Sequence, residues 1–117
     1  LIVDDEPYIR RILSFKLRRA GYVTFEAPSA EAAEQILADH EIDLLLLDVA
    51  LATPTNGFDL AAKLRRNAGT QHLPVIMLTA RGFAADVLRG REVGAAGYIT
   101  KPFTADEVIR RVEALLG

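Results

Sequence analysis

The chain has 117 residues, 50% of them apolar and 26% charged, with a formal net charge of -2 and no cysteine. That length suits one domain around one core and leaves no room for a second. The slightly acidic balance lacks the basic footprint of a nucleic-acid binder, and without cysteine there are no disulfides, thiol nucleophiles or thiolate metal sites.

Strand-like and helix-like segments alternate. Leu1 to Val3 is a short apolar run leading into Asp4 and Asp5, which predicts a buried strand ending in charge. Pro7 suits the first turn of a helix; Tyr8, Ile9, Ile12, Leu13 and Leu17 recur at the helical period, and Gly21 stands at a C-terminal cap position. Tyr22 to Phe25, β-branched and aromatic, predicts the second strand, and a second helix begins near Ser29 with Ala33, Ile36 and Leu37 on one face. The four leucines within Ile42 to Leu47 favour a third strand covered on both faces, closed by Asp48. After a polar loop over 52–56, Gly57, Phe58, Leu60, Ala61 and Leu64 continue as a third helix until Gly69. Pro74 to Leu78 is the fourth strand, ending at Thr79. Ala84 to Val93 reads as a weaker fourth helix stopped by Gly94, and Tyr98 and Ile99 lie in a short fifth strand ended by Lys101 and Pro102. Thr104 and Glu107 make a capping box ahead of Val108, Ile109, Val112, Leu115 and Leu116, the apolar face of a fifth helix.

Five such units with short connections imply an α/β fold, a doubly wound (βα)5 domain with a parallel sheet, helices on both faces and right-handed crossovers. The domain is expected to span 1–117; its start at Leu1, inside an apolar run and without an initiator methionine, reads as trimmed, and an effector domain beyond Gly117 is left open. Apolar runs such as Leu44 to Leu47 are far too short to cross a bilayer, and no signal-peptide pattern opens the chain, so a cytoplasmic domain is expected.

In sheets of this kind the ligand site lies outside the carboxyl ends of the strands. The residues placed there are Asp4, Asp5, Asp48, Thr79 and Lys101: three carboxylates, a hydroxyl and an ammonium from four strands. Singly, each has a plainer reading. Asp4 and Asp5 suit helix capping, Asp48 a strand end, Thr79 and Lys101 the surface, and Tyr98 core packing with its hydroxyl at a wet boundary. Jointly they point to chemistry. Clustered carboxylates repel one another, and a hard divalent cation with oxygen ligands relieves this; Mg²⁺ joins few carboxylates to phosphate oxygens. An aspartate beside such a metal is a competent nucleophile toward phosphorus, with the lysine neutralising one phosphoryl oxygen and Thr79 hydrogen-bonding another. His40 and His72 fall in loops without ligand partners and read as solvated. Lys63, Arg65 and Arg66 read as the wet face of the third helix, and Arg110 and Arg111 as exposed or touching a partner.

Four ordered motifs, Leu1 to Glu6, Leu44 to Asp48, Val75 to Ala80 and Tyr98 to Phe103, resemble those of the receiver domains of two-component response regulators, over essentially the whole chain. The resemblance implies that Asp48 accepts phosphate from a phosphohistidine on a sensor histidine kinase or phosphotransfer protein. It implies that Asp5, Asp48 and the Ala50 carbonyl bind Mg²⁺ with Asp4 assisting through water, and that Lys101 pairs with the phosphoryl group. It also implies that Thr79 reports the phosphoryl group to the switch aromatic Tyr98, that the Lys101–Pro102 bond is cis, and that the sheet order is 2-1-3-4-5. Such a domain is no enzyme beyond its own phosphoryl transfer and autodephosphorylation, with Ala50 and Arg81 flanking the water path.

The sequence departs from the family pattern in two places. Receivers commonly carry proline four and glycine eight residues after the acceptor, where this chain has Ala52 and Asn56, with Pro54 and Gly57 displaced by a loop about one residue longer. Ala95, Ala96 and Gly97 stand where receivers that dimerise through their fourth and fifth helices often carry acids, so a homodimer is left open. A flavodoxin-type or dinucleotide-binding domain would need a glycine-rich phosphate loop where Asp4, Asp5 and Glu6 stand. An aspartate-based phosphohydrolase would need a second Asp at position 50. The alternative of weight is a receiver fold kept as an interaction module that works without phosphorylation.

Overall fold

Successive strand residues point to opposite faces, so the leucine run sends Leu45 and Leu47 to one side of the sheet and Leu44 and Leu46 to the other. The computed structural model describes residues 1–51, 56–79 and 91–117. It has the strands β1 (Ile2–Val3), β2 (Glu26–Ala27), β3 (Leu45–Asp48), β4 (Val75–Thr79) and β5 (Gly97–Thr100). They form one parallel sheet in the order β2-β1-β3-β4-β5, as the resemblance implies. Four helices are delimited among the described residues: α1 (Pro7–Arg19), α2 (Ala30–Asp39), α3 (Gly57–Arg66) and α4 (Ala105–Leu116). The helix expected over Ala84 to Val93 lies mostly outside the described residues, with Arg91 and Glu92 helical at its end; α4 is therefore the helix expected fifth.

On one face Val3, Leu45, Leu47, Val75 and Met77 pack with Ala30 and Ala33 of α2 and Phe58, Ala61 and Leu64 of α3. On the other Ile2, Leu46, Ile76, Leu78 and Ile99 pack with Leu13 and Leu17 of α1 and Val108 and Val112 of α4. The caps are local and match their residue types. The Ser29 hydroxyl accepts the Ala32 N–H, Asn56 Oδ1 the Asp59 N–H and the Thr104 hydroxyl the Glu107 N–H. At the end of α1 the N–H groups of Gly21 and Tyr22 donate to Arg18 O and Leu17 O, a Schellman closure that needs Gly21 at φ 101°.

Three expectations change. The second strand is Glu26–Ala27 rather than Tyr22–Phe25, because β1 offers only Ile2 and Val3 for pairing and these register with Glu26 and Ala27. The inward stripe of α1 runs through Leu13, Ser14 and Leu17, leaving Tyr8 and Ile12 exposed on its flank, and Leu115 and Leu116 are exposed at the end of α4. His40 is exposed, as expected, with its ring centroid 4.4 Å from that of Phe25. Arg65 is half-buried rather than freely solvated. Its guanidinium donates to Val93 O (3.1 Å), Gln71 O (2.9 Å) and Gly94 O (3.1 Å), tying α3 to the turn before β5. Partial burial pushes its pKa down from the ordinary arginine value. Arg65→Ala is expected to destabilise the fold by about 2 kcal/mol, since hydrogen bonds from a charged donor are each worth roughly 1.5–3 kcal/mol and water can replace some of them. Urea unfolding of Arg65→Ala against Arg66→Ala checks this; equal midpoints would count against the clamp.

Candidate phosphoryl-acceptor site

The carboxyl ends of β1, β3, β4 and β5 bring the polar residues together. Asp4, just beyond β1, is fully buried. Its N–H donates to Ala27 O (3.1 Å), its Oδ1 accepts the Glu6 N–H (2.9 Å), and its Oδ2 lies 2.9 Å from Lys101 Nζ. The plainer reading of Asp4 is thus partly true: it tethers the start of α1, whose N-cap residue Glu6 makes no side-chain cap. Asp48, the last residue of β3, is 3% exposed. Its Oδ1 accepts the Ala50 N–H (3.1 Å), and its Oδ2 stands 3.5 Å from Lys101 Nζ. One ammonium therefore serves two carboxylates and sits nearer to Asp4. Thr79 ends β4, buried, with its carbonyl accepting the Lys101 N–H (2.6 Å). The Lys101–Pro102 bond is cis. Tyr98 is half-buried in β5, one strand residue before Ile99, and packs against the α2–α3 face of the sheet. Ala50 is exposed two residues after the acceptor; Arg81, Ala52 and Pro54 lie outside the described residues.

Burial pushes the Asp48 carboxyl above the usual range, and the Asp4 charge adds to this; the Ala50 N–H and Lys101 pull it down by less, and Asp5 raises it further. For Lys101 burial alone would lower the pKa, but the hydrogen bond to Asp4 and the charges of Asp48, Asp4 and Glu6 outweigh it and raise the value. A carboxyl whose pKa is raised on folding favours the folded state while protonated. Its contribution is complete below the ordinary value of 3.8 and is lost as pH climbs through the raised one. Without divalent cations, Asp48→Asn is therefore expected to unfold about 3–6 °C above wild type at neutral pH, roughly 1 kcal/mol for a domain of this size. The gap should close as pH falls through that window. Melting curves of both proteins in chelator across pH decide it, and a gap that widens toward acid would contradict an origin in the burial of the Asp48 charge.

Asp4, Asp5 and Glu6 each bring a carboxylate oxygen within 4.8 Å of the others. Glu6 is the member that sequence reasoning left out of the acidic set; its place directly after the aspartate pair was the available signal. Hard oxygen donors beside an acid with too little compensating charge suit Mg²⁺. Asp4, Asp5 and Asp48 could hold it, with the neighbouring Ala50 carbonyl as a candidate donor. Arg10 was also missed, because its spacing on α1 does not separate it from the solvated basic residues around it.

The response regulator receiver domain family matches residues 1–113. This chain belongs to that family. Among curated relatives it is 44% identical to the phosphate regulon transcriptional regulatory protein PhoB of Pseudomonas aeruginosa, over 99% of the chain and 50% of the relative. It is 39% identical to the DNA-binding dual master transcriptional regulator RpaA of a Synechocystis species, over 99% of the chain and 48% of the relative. The receiver thus spans about half the length of the curated relatives it matches. Among solved structures the chemotaxis protein CheY4 of Vibrio cholerae superposes with a TM-score of 0.91 at 26% identity, covering 97% of this chain and 94% of that one. The receiver domain of NtrX from Brucella abortus superposes with a TM-score of 0.87 at 31% identity, covering 98% and 95%. Receivers of this family bind Mg²⁺ at an acidic site, and in this one an acidic cluster, Asp4, Asp5 and Glu6, follows β1. Among the described residues no helix is long and apolar enough to cross a membrane.

Proposed function

We propose that this receiver is switched by phosphorylation of Asp48, with the phosphoryl group coming from the phosphohistidine of a sensor histidine kinase or phosphotransfer protein in the cytoplasm. The observation that carries the reading is the shared ammonium: Lys101 lies between two buried carboxylates, 2.9 Å from Asp4 and 3.5 Å from Asp48. In the transfer, an Asp48 oxygen forms the new bond to phosphorus while the phosphorus–nitrogen bond to the donor imidazole breaks, and the imidazole regains a proton. Lys101 and the Thr79 hydroxyl receive the equatorial phosphoryl oxygens, and charge stabilisation rather than covalent help lowers the barrier. Bound Mg²⁺ would supply further neutralisation of those oxygens. Thr79 then provides the contact that differs between the two states, and Tyr98 in the adjacent strand follows it. An effector domain or target protein reads the change; the receiver itself touches no nucleic acid and catalyses nothing beyond its own phosphoryl transfer and dephosphorylation. An interaction module working without phosphorylation would have no need of the acid pair, acceptor, hydroxyl and lysine, all of which are present.

Acetyl phosphate or phosphoramidate with Mg²⁺ should add a single phosphoryl group, read by intact mass, and chelator or Asp48→Asn should prevent it. Full-yield modification of Asp48→Asn would end this assignment.

A further inference from the structure

We propose that Arg10 is a positioning residue for the acidic side of the metal site, holding the main chain of Asp4 and, through it, the direction of Asp5. The inference rests on the reading of Asp4 and Asp5 as the Mg²⁺ side of the site.

Arg10 lies one helical turn into α1, in a stretch where Arg11, Lys16, Arg18 and Arg19 are all exposed. Its own side chain is only 15% exposed. Nη1 donates to the carbonyl oxygen of Asp4 at 2.6 Å. Nε is 3.7 Å from Glu26 Oε1 in β2, within ion-pair range but too far for a hydrogen bond, and it is buried without a hydrogen-bond partner among the described residues. Such a buried donor costs about 1–3 kcal/mol if left unmade. The bond the guanidinium does make is the one from Nη1 to the Asp4 carbonyl.

That bond acts on the acidic pair through backbone geometry. The Asp4 N–H is already held by Ala27 O on β2, and Arg10 holds the other end of the residue. Because the peptide unit is planar, fixing the Asp4 carbonyl fixes the Asp4–Asp5 plane and the position of the Asp5 Cα; the Glu6 N–H bond to Asp4 Oδ1 holds the next plane, and the two together restrict the direction in which the Asp5 side chain leaves the chain. Asp5 needs this support. Among the described residues no hydrogen bond holds its carboxylate, whereas Asp4 is held through Oδ1 and Oδ2. Groups that orient a metal ligand typically matter by 10–100-fold in metal affinity. Glu26 holds the guanidinium's other edge at longer range, so that β2, β1 and α1 meet at one side chain.

The test is calorimetric Mg²⁺ titration of the whole chain as wild type, Arg10→Ala and Arg10→Lys, at a temperature where circular dichroism shows each to be folded. Arg10→Ala should weaken Mg²⁺ binding roughly tenfold. Arg10→Lys should recover most of that, since an ammonium on a stem of similar length can donate to the same single carbonyl. The half-saturating Mg²⁺ concentration for acetyl phosphate labelling should move by the same factor. If Arg10→Ala fails to fold, Arg10→Gln takes its place with the same expectation. A merely structural arginine would lower the unfolding midpoint without changing the affinity of the folded protein, and that result would overturn the proposal. So would Arg10→Lys binding no better than Arg10→Ala. Wild type that binds no Mg²⁺ would overturn the acidic-site reading and this inference with it, whereas wild-type binding unchanged in the variants would overturn the role of Arg10 alone.

Discussion

Gly57→Ala is expected to lose about 3 kcal/mol of stability, a large share of the roughly 5–15 kcal/mol that holds an ordinary domain folded. An alanine Cβ there would overlap the Asp48 carbonyl oxygen and fall 2.9 Å from both the Asp48 carbonyl carbon and the Val49 Cα. These are main-chain atoms of the β3 end, held by the Val49 N–H bond to Leu78 O, and they cannot rotate aside as a flexible side chain would. Relief requires α3 to back away, which breaks the Gly57 N–H bond to Val49 O (3.0 Å) and loosens Phe58, Leu60 and Ala61 in the core. The acceptor would suffer with the fold, because the carbonyl being pushed belongs to Asp48 itself. Urea unfolding followed by circular dichroism checks the size of the loss, and a midpoint within about 0.5 kcal/mol of wild type would show that the contact is not rigid. The same geometry bears on the longer loop. By Gly57 the chain is back against the acceptor's main chain, so the displaced glycine makes a close approach to the acceptor that no larger residue could make.

Lys101→Ala should slow acetyl phosphate labelling of Asp48 by about 10²–10³-fold, the usual cost of removing one preorganised group that stabilises transition-state charge. The acceptor would still be present, so an endpoint measurement would hide the effect; a time course of intact mass at saturating Mg²⁺ reveals it. A second consequence concerns Asp4. Lys101 is its charged partner, and stranding a fully buried carboxylate costs about 3 kcal/mol, less what the Glu6 N–H bond to Asp4 Oδ1 retains. Mg²⁺ should therefore raise the unfolding midpoint of Lys101→Ala by more than it raises that of wild type. The Lys101 pKa is raised on folding, so this ion-pair stabilisation is present below the ordinary value of 10.5 and is lost only as pH climbs through the raised one. Labelling of Lys101→Ala at the wild-type rate would remove the lysine from the mechanism.

Much of the fold was legible because its signals are local. Strand and helix periods, the proline at the first turn of α1, Gly21, and the Ser29 and Thr104 caps each act within a few residues, and each is found where its residue type places it. The leucine run declared a strand buried on both faces. That the polar residues after the strands gather at one place was also legible, because parallel strands all end at one edge. The second strand was displaced because Tyr22 to Phe25 has a strand-like composition, while pairing depends on what β1 offers beside it. Which basic side chains find carbonyl partners was likewise beyond local reading. Arg65 finds carbonyls 28 and 29 residues away at Val93 and Gly94, and Arg10 finds one only where β1 runs into α1. The division of Lys101 between Asp4 and Asp48 belongs to the same class: it links residues 97 apart, and its geometry exists only once β1, β3 and β5 are laid side by side. Periodicity and capping are properties of neighbours along the chain, whereas a buried charge takes whichever partner the packed strands bring within reach, and only the tertiary structure decides that partner.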